Sequence, residues 1–250
     1  MPRYIEINCD MGEGFGRWKM GPDEELMTVV DVANVACGFH AGDPATMVRT
    51  VRLAKEHNVR VGAHPGMPDL LGFGRRQMNV SPEDMYALVL YQVGALAGIL
   101  AAEGVSLNHV KPHGELYFYI QRDATVRDAV LRAVRIFDVP IYGMATEPMV
   151  EACKKIGLEL IPEFYPDLNY NEKGQLMPVA ESVPATPALV SERISVFADS
   201  GKTKAKSGAM VDISVNRQAF SICIHSDLPG ASENAIAARQ AVDRILGHGD

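Results

Sequence analysis

The chain has 250 residues and a net charge of −7, from 24 basic and 31 acidic side chains. That length can bury a sizeable core, and the acidic balance argues against a nucleic-acid surface or a basic stripe for anionic membrane. Four widely spaced cysteines, Cys9, Cys37, Cys153 and Cys223, form no CxxC pair, which argues against a disulfide framework and fits a reducing compartment.

The N-terminus, MPRYIEINCD, has no apolar signal run, so a cytoplasmic protein is expected. Strand-like runs follow at Tyr4–Asn8, Val32–Ala36, Arg60–Ala63, Leu107–Lys111, Pro140–Gly143, Glu159–Glu163 and Phe220–Ile224. Helix-like segments follow most of them, at about 45–57, 82–103, 123–136, 148–156, 187–199 and 231–246. Ser81 and Pro82 supply an N-cap with proline at the first helical position, and Gly104, Gly157 and Gly247 follow helix ends. The most apolar run, Ala87 to Ala102, is interrupted by Gln92 and two glycines. It reads as a buried helix, too short and broken to span a bilayer. Alternating strand and helix imply a parallel sheet, and seven such units with polar chemistry at one set of ends suggest a closed β/α barrel. An open doubly wound sheet is the alternative. The region 164–219 departs from this rhythm: a turn-rich stretch is followed by residues that alternate around Gly208 as a hairpin would. No linker separates a second domain, so residues 1–250 read as one barrel domain carrying an excursion at about 164–219, where a partner surface is expected.

Four histidines, His40, His64, His113 and His225, sit at the ends of apolar runs in loops rich in glycine, proline or carboxylate. Loops at the C-terminal ends of barrel strands are where α/β enzymes assemble active sites. Side chains two apart share a strand face, so Glu6, Asn8 and Asp10 align, as do His109, Lys111 and His113, and Cys223, His225 and Asp227. Glu159 and Glu163 share a face too. A polar set of fixed parity belongs inside the barrel near its mouth. The candidate constellation is therefore Asn8, Asp10, Lys111, His113, Glu163, His225 and Asp227, joined by His40, Asp43 and His64.

Structural readings compete with these. Asp43 precedes Pro44 and suits an N-cap; Asn8 suits a strand-end tie. Lys111 suits an ion pair with Glu163 or Asp10. His57 suits a helix C-terminus, His109 a hydrogen-bonded core, and His248 a frayed tail. Metal could bind through Asp10, His40, His64 and His113, though no HExxH or HxxxH spacing is present, and direct acid–base chemistry ranks ahead of it. MGEGFGRW departs from the dinucleotide fingerprint, with Arg17 in place of its last glycine, and Gly201-Lys202-Thr203 lacks the earlier P-loop glycine because Val196 occupies its place. In LLGFGRRQM, Arg75 and Arg76 offer planar donors for carboxylate or phosphate.

The blocks NCDMGEGFG, ANVACGFHAGDP, GAHPGMPDLLGFGRR, HVKPHGELY and HSDLPGA resemble the LamB/YcsF family, the A components of 5-oxoprolinase, from about residue 5 to 245. The resemblance implies a distorted seven-stranded β/α barrel similar to the glycoside hydrolase/deacetylase superfamily. It implies ATP-dependent opening of the 5-oxoproline lactam to L-glutamate, with Mg²⁺ accompanying ATP, in a complex with 5-oxoprolinase subunits B and C. In that chemistry Asp10 or Glu163 activates water, His113 or His225 moves a proton, and Lys111 stabilises developing charge, with Asp227 beside them. Asn8, Glu13, His40, Asp43, His64, Arg75 and Arg76 are assigned to binding substrate or phosphate. Ser226 and Leu228 depart from the HGDTPG expected in the last block, which opens the substrate to a related lactam or cyclic amide. Two other readings stay open: a metal-dependent deacetylase or amide hydrolase, and a non-catalytic ligand-binding protein.

Overall fold

The computed structural model describes residues 4–213 and 219–247; His248 lies outside the described residues. Six strands, β1 (Tyr4–Met11), β2 (Val32–Ala36), β3 (Arg60–His64), β4 (Leu107–Val110), β5 (Ile141–Gly143) and β6 (Leu160–Phe164), are followed by a small hairpin of β7 (Lys202–Lys204) and β8 (Met210–Asp212), then by β9 (Ala219–Ile224). The barrel closes in the order β1-β2-β3-β4-β5-β6-β9. All of its pairings are parallel, including the closing pairs β1 with β9 and β6 with β9. The open-sheet alternative is thereby excluded. Register slips between β3 and β4 around Val61 and Ala63, and β4 meets β5 at a single pair, Val110 with Ile141, which is where the barrel is distorted.

The helices are α1 (Asp23–Leu26), α2 (Pro44–Glu56), α3 (Pro82–Glu103), α4 (Gly114–Arg122), α5 (Ala124–Arg135), α6 (Glu147–Ile156), α7 (Pro187–Ser200) and α8 (Ala231–Leu246). Their apolar stripes explain their seats. In α5, Val126, Ala129, Val130, Ala133 and Val134 are buried, the spacing of a single helical face. The run expected to be too short and broken is the unbroken 22-residue α3, whose mean hydropathy reaches 1.8, long and apolar enough to cross a membrane by length and composition. Its glycines, Gly94 and Gly98, lie on the exposed side and leave the backbone ladder intact. Met85, Val89, Val93, Leu96 and Leu100 are buried where α3 packs on β3, β4, α2 and α5. Gln92 is buried as well, exchanging two 2.9 Å hydrogen bonds with the backbone of Gly66 just past β3.

Strand alternation sends Ile5, Ile7, Cys9 and Met11 of β1 into the apolar core, while Glu6, Asn8 and Asp10 are buried on the barrel axis. Polar side chains on an axis persist only if they bond one another. Near the N-terminal end Glu6 accepts from Tyr142 and from Arg60. One layer up, Asn8 donates to Ser221 Oγ at 2.7 Å and accepts from Asn34 at 2.8 Å. His109 Nε2 donates to Asn34 Oδ1 at 2.7 Å. The third layer, at the C-terminal strand ends, carries the candidate site.

Candidate active site

Lys111 follows β4 and is buried on the axis. Its Nζ donates to Asp10 Oδ1 at 2.9 Å, Asn8 Oδ1 at 3.1 Å and Cys223 Sγ at 2.8 Å, and Glu163 Oε1 lies 3.5 Å away. Burial acts to discharge Lys111, but Asp10, Cys223 and Glu163 outweigh it and hold its pKa well above the ordinary value. Burial likewise pushes the Asp10 carboxyl up, and the neighbouring His64 and Lys111 overcome this and hold it well below the usual range. The pair is therefore ionised. Glu163 sits behind Lys111, accepting from Asn8 at 3.1 Å and from Tyr165 OH at 2.7 Å.

A second group forms beside Asp10. His64 ends β3, and its Nδ1 lies 2.7 Å from the Lys111 carbonyl. His113 caps α4 without a side-chain cap bond; its Nε2 lies 2.7 Å from the Phe73 carbonyl and its Nδ1 3.0 Å from His64 Nε2. Glu13 Oε1 is 3.1 Å from His40 Nε2 and 3.5 Å from His113 Nδ1. His64 Nε2 is 3.4 Å from Asp10 Oδ2. The His40 and His113 rings stack at 3.7 Å. Burial, then neighbouring histidines, holds the pKa of both well below the ordinary value, so both rings are neutral. Burial and the Asp10 and Asp227 charges push Glu13 well up. Glu13, His40, His64 and His113 are close enough to hold a divalent metal ion. Gly74, at φ +65°, permits this crowding, because a Cβ there would lie 2.6 Å from His40 Cβ and 2.9 Å from His113 Cδ2.

Across the barrel, His225 follows β9. Asp167 Oδ2 accepts from its backbone N–H at 2.7 Å and lies 3.0 Å from its Nδ1. Burial would lower the His225 pKa, but the Asp167 charge and hydrogen bond raise it above the ordinary value. Asp10, His64, Arg75, Lys111, His113, Tyr165 and His225 line one cavity of about 400 Å³. Part of its outer wall is the excursion: Leu168, Leu176, Pro178, Val179 and Glu181.

The structure thus gathers Asn8, Asp10, Glu13, His40, His64, Lys111, His113, Glu163 and His225. Asp227 reaches the rim by binding Arg75 through two bonds of 2.7 and 3.1 Å. Two candidates stand apart. Asp43 caps α2, accepting from the N–H of Ala45 and Thr46 and from Gly16. Arg76 forks onto Asp69 away from the cavity. The sequence reading did not include Asn34, Asp167 or Cys223 among the site residues. Asn34 could have been found as the one polar residue in VANVA, opposite Asp10 in register. Ser226, a departure in the last block, lies 3.5 Å from Glu13 Oε2.

A closed parallel barrel with an ionised Lys–Asp pair and a histidine–carboxylate cluster at its C-terminal mouth has the architecture of a β/α-barrel enzyme. The sequence profile of the LamB/YcsF family matches residues 5–246. The lactam utilization protein lamB of Emericella nidulans is 45% identical over 239 residues, covering 96% of this chain and 94% of that protein. The A component of the Bacillus subtilis 5-oxoprolinase is 44% identical over 228 residues, covering 89% and 87%. The crystal structure of a lactam utilization protein from Thermus thermophilus superposes with a TM-score of 0.87 at 42% identity, covering 96% of each chain. The chain belongs to the LamB/YcsF family.

Proposed function

We propose that this chain is the lactam-opening component of a 5-oxoprolinase, hydrolysing 5-oxoproline to L-glutamate in an ATP-dependent complex with subunits B and C. The observation that carries the reading is the ionised Lys111–Asp10 pair facing the protonable His225–Asp167 pair across one cavity. The names of the relatives, a lactam utilization protein and the A component of a 5-oxoprolinase, supply the substrate class. Four buried free cysteines suit a cytoplasmic setting.

Hydrolysis of an amide needs a stabiliser for the carbonyl oxygen, a proton acceptor for water and a proton donor for the leaving nitrogen. Lys111 meets the first need, held charged by Asp10 and Glu163. Asp10, which lines the cavity, takes the proton from the attacking water through Oδ2, the oxygen not bonded to Lys111, as the carbon–oxygen bond forms. His225, protonated through Asp167, gives a proton to the ring nitrogen as the carbon–nitrogen bond breaks. Glu163 serves by positioning Lys111, and His113 has both ring nitrogens engaged, so neither takes the proton-transfer roles. Arg75 has donors beyond the two given to Asp227 and suits the substrate carboxylate.

ATP does not fit this cavity as built. Its lining cations, Lys111, Arg75 and Arg122, are each paired with a carboxylate: Asp10, Asp227 and Glu115. With the remaining donors of Arg75 given to the substrate carboxylate, a triphosphate would meet no free cation among them, so we assign ATP and its Mg²⁺ to the assembled complex, outside this cavity. The test is glutamate release from 5-oxoproline by this chain mixed with its B and C partners, with and without ATP. The expected result is ATP-dependent glutamate that disappears when this chain is omitted or carries His225→Gln. No release from a demonstrably assembled complex overturns the proposal.

A further inference from the structure

We propose that Glu13, His64 and His113 form a binding site for a first-row divalent metal ion, with zinc the best match, at the inner wall of the cavity.

Two backbone carbonyls fix which ring nitrogens carry protons. A carbonyl oxygen can only accept. His64 Nδ1, 2.7 Å from the Lys111 carbonyl, is therefore an N–H, and so is His113 Nε2, 2.7 Å from the Phe73 carbonyl. The remaining nitrogens, His64 Nε2 and His113 Nδ1, face each other at 3.0 Å, a gap that one further proton or a metal ion would bridge. Glu13 Oε1 joins at 3.5 Å from His113 Nδ1, and Asp10 Oδ2 lies 3.4 Å from His64 Nε2. Glu13, His64 and His113 thus bring donor atoms close enough together for one cation, with Asp10 beside His64 at the edge of the group.

The spacing suits coordination. Zinc bonds to nitrogen and oxygen of about 2.0–2.1 Å give a tetrahedron with edges of roughly 3.3 Å. The His64–His113 and His113–Glu13 separations, 3.0 and 3.5 Å, bracket that length. Imidazole nitrogens with a carboxylate oxygen favour zinc and its first-row neighbours over Mg²⁺, which prefers an all-oxygen shell. The carbonyls of Lys111 and Phe73 fix the ring tautomers, as the outer partners of metal-binding histidines do. His40 is a positioning residue: its Nε2 lies 3.1 Å from Glu13 and its ring stacks on His113. Its Nδ1 is buried without a partner, which costs less for a lone pair than for an N–H and places the proton on Nε2, aimed at Glu13. Asp10, His64 and His113 line the cavity, so the ion would keep one side open to a small ligand. The inference does not depend on the substrate being a lactam.

The test is metal uptake by the chelator-stripped, refolding-checked chain, titrated with Zn²⁺ and with Co²⁺ and read by metal content, calorimetry and the visible absorption of bound Co²⁺. About one ion per chain is expected. His64→Gln, His113→Gln and Glu13→Gln should each abolish uptake at one equivalent, and His40→Ala should weaken it by about 10–100-fold. Arg132→Ala, on an exposed helix face, should leave uptake unchanged. If the variants fail to fold, the parent chain still decides the matter through its stoichiometry and Co²⁺ spectrum. A folded, stripped chain that binds neither ion, with imidazolium nitrogen shifts at His64 or His113, would assign the gap to a shared proton and overturn the proposal. Uptake that survives all three glutamine substitutions would overturn it as well.

Discussion

Lys111 is held by two carboxylates and a thiol at a buried part of the cavity wall, and removing it exposes what the arrangement costs. Replacement by methionine keeps the chain length but leaves Asp10 and Glu163 buried and uncompensated. Breaking such a pair on one side costs about 3–5 kcal/mol. Lys111→Met should lower the urea midpoint at pH 7 accordingly, and adding Asp10→Asn should recover part of the loss; a midpoint within error of the parent would contradict the ionised pair. His225 offers a pH test. Its folded pKa is raised, so the stability from its bond to Asp167 is complete below the ordinary histidine value of about 6.5 and is lost as pH rises through the folded value. Under the proposed mechanism, in which it is the proton donor, His225 should also set the alkaline limb of the kcat profile. Asp167→Asn should move that limb to lower pH; an unmoved limb would assign the donor role elsewhere.

Strand parity made the inward set of β1 legible, because alternation is a local property that survives any tertiary context. The same parity aligned Lys111 with His109 and Cys223 with His225. All seven barrel strands were legible to within a few residues at their ends, whereas α1 and α4 were not. The sequence of α4, GELYFYIQR, is rich in aromatics and begins after His113, which makes no side-chain cap bond, so neither cap nor period announces it. Its start is instead tied by tertiary contact, Glu115 N–H to the Gly74 carbonyl at 2.9 Å. The α2 terminus shows the reverse case, where a residue with a site-like context has a local duty. Asp43 spends its carboxylate on Ala45, Thr46 and Gly16. Asp43→Ala should destabilise the chain by about 1 kcal/mol, Asp43→Asn by less, and both should retain kcat/KM once folded. Loss of turnover in a fully folded Asp43→Asn variant would return this residue to the site.

The excursion between β6 and β9 ties the architecture to selectivity. A seven-stranded barrel alone leaves its mouth open, and the departure from strand–helix rhythm after β6 is what walls it. The turn at Tyr170 pairs with Leu176 and with Ala205 next to the β7–β8 hairpin, so the wall leans on a second small sheet. Arg193 of α7 fastens the start of the excursion through the carbonyls of Pro166 and Leu168, both at 2.8 Å. The sequence marked this region by its broken rhythm and pointed to a partner surface. Its fold onto the cavity was not legible, because the contacts that place it run to residues far away in the chain. The wall segment around Pro178 to Glu181 touches the cavity but none of the charged network. A side chain there meets bound substrate equally in the ground and transition states, which changes KM and leaves kcat alone. Val179→Asp would put a charge beside the proposed substrate, 5-oxoproline, which itself carries a carboxylate, and KM for it should rise several-fold with kcat and the thermal midpoint unchanged. A fall in kcat at constant KM would show instead that the wall moves during turnover and helps assemble the reacting groups.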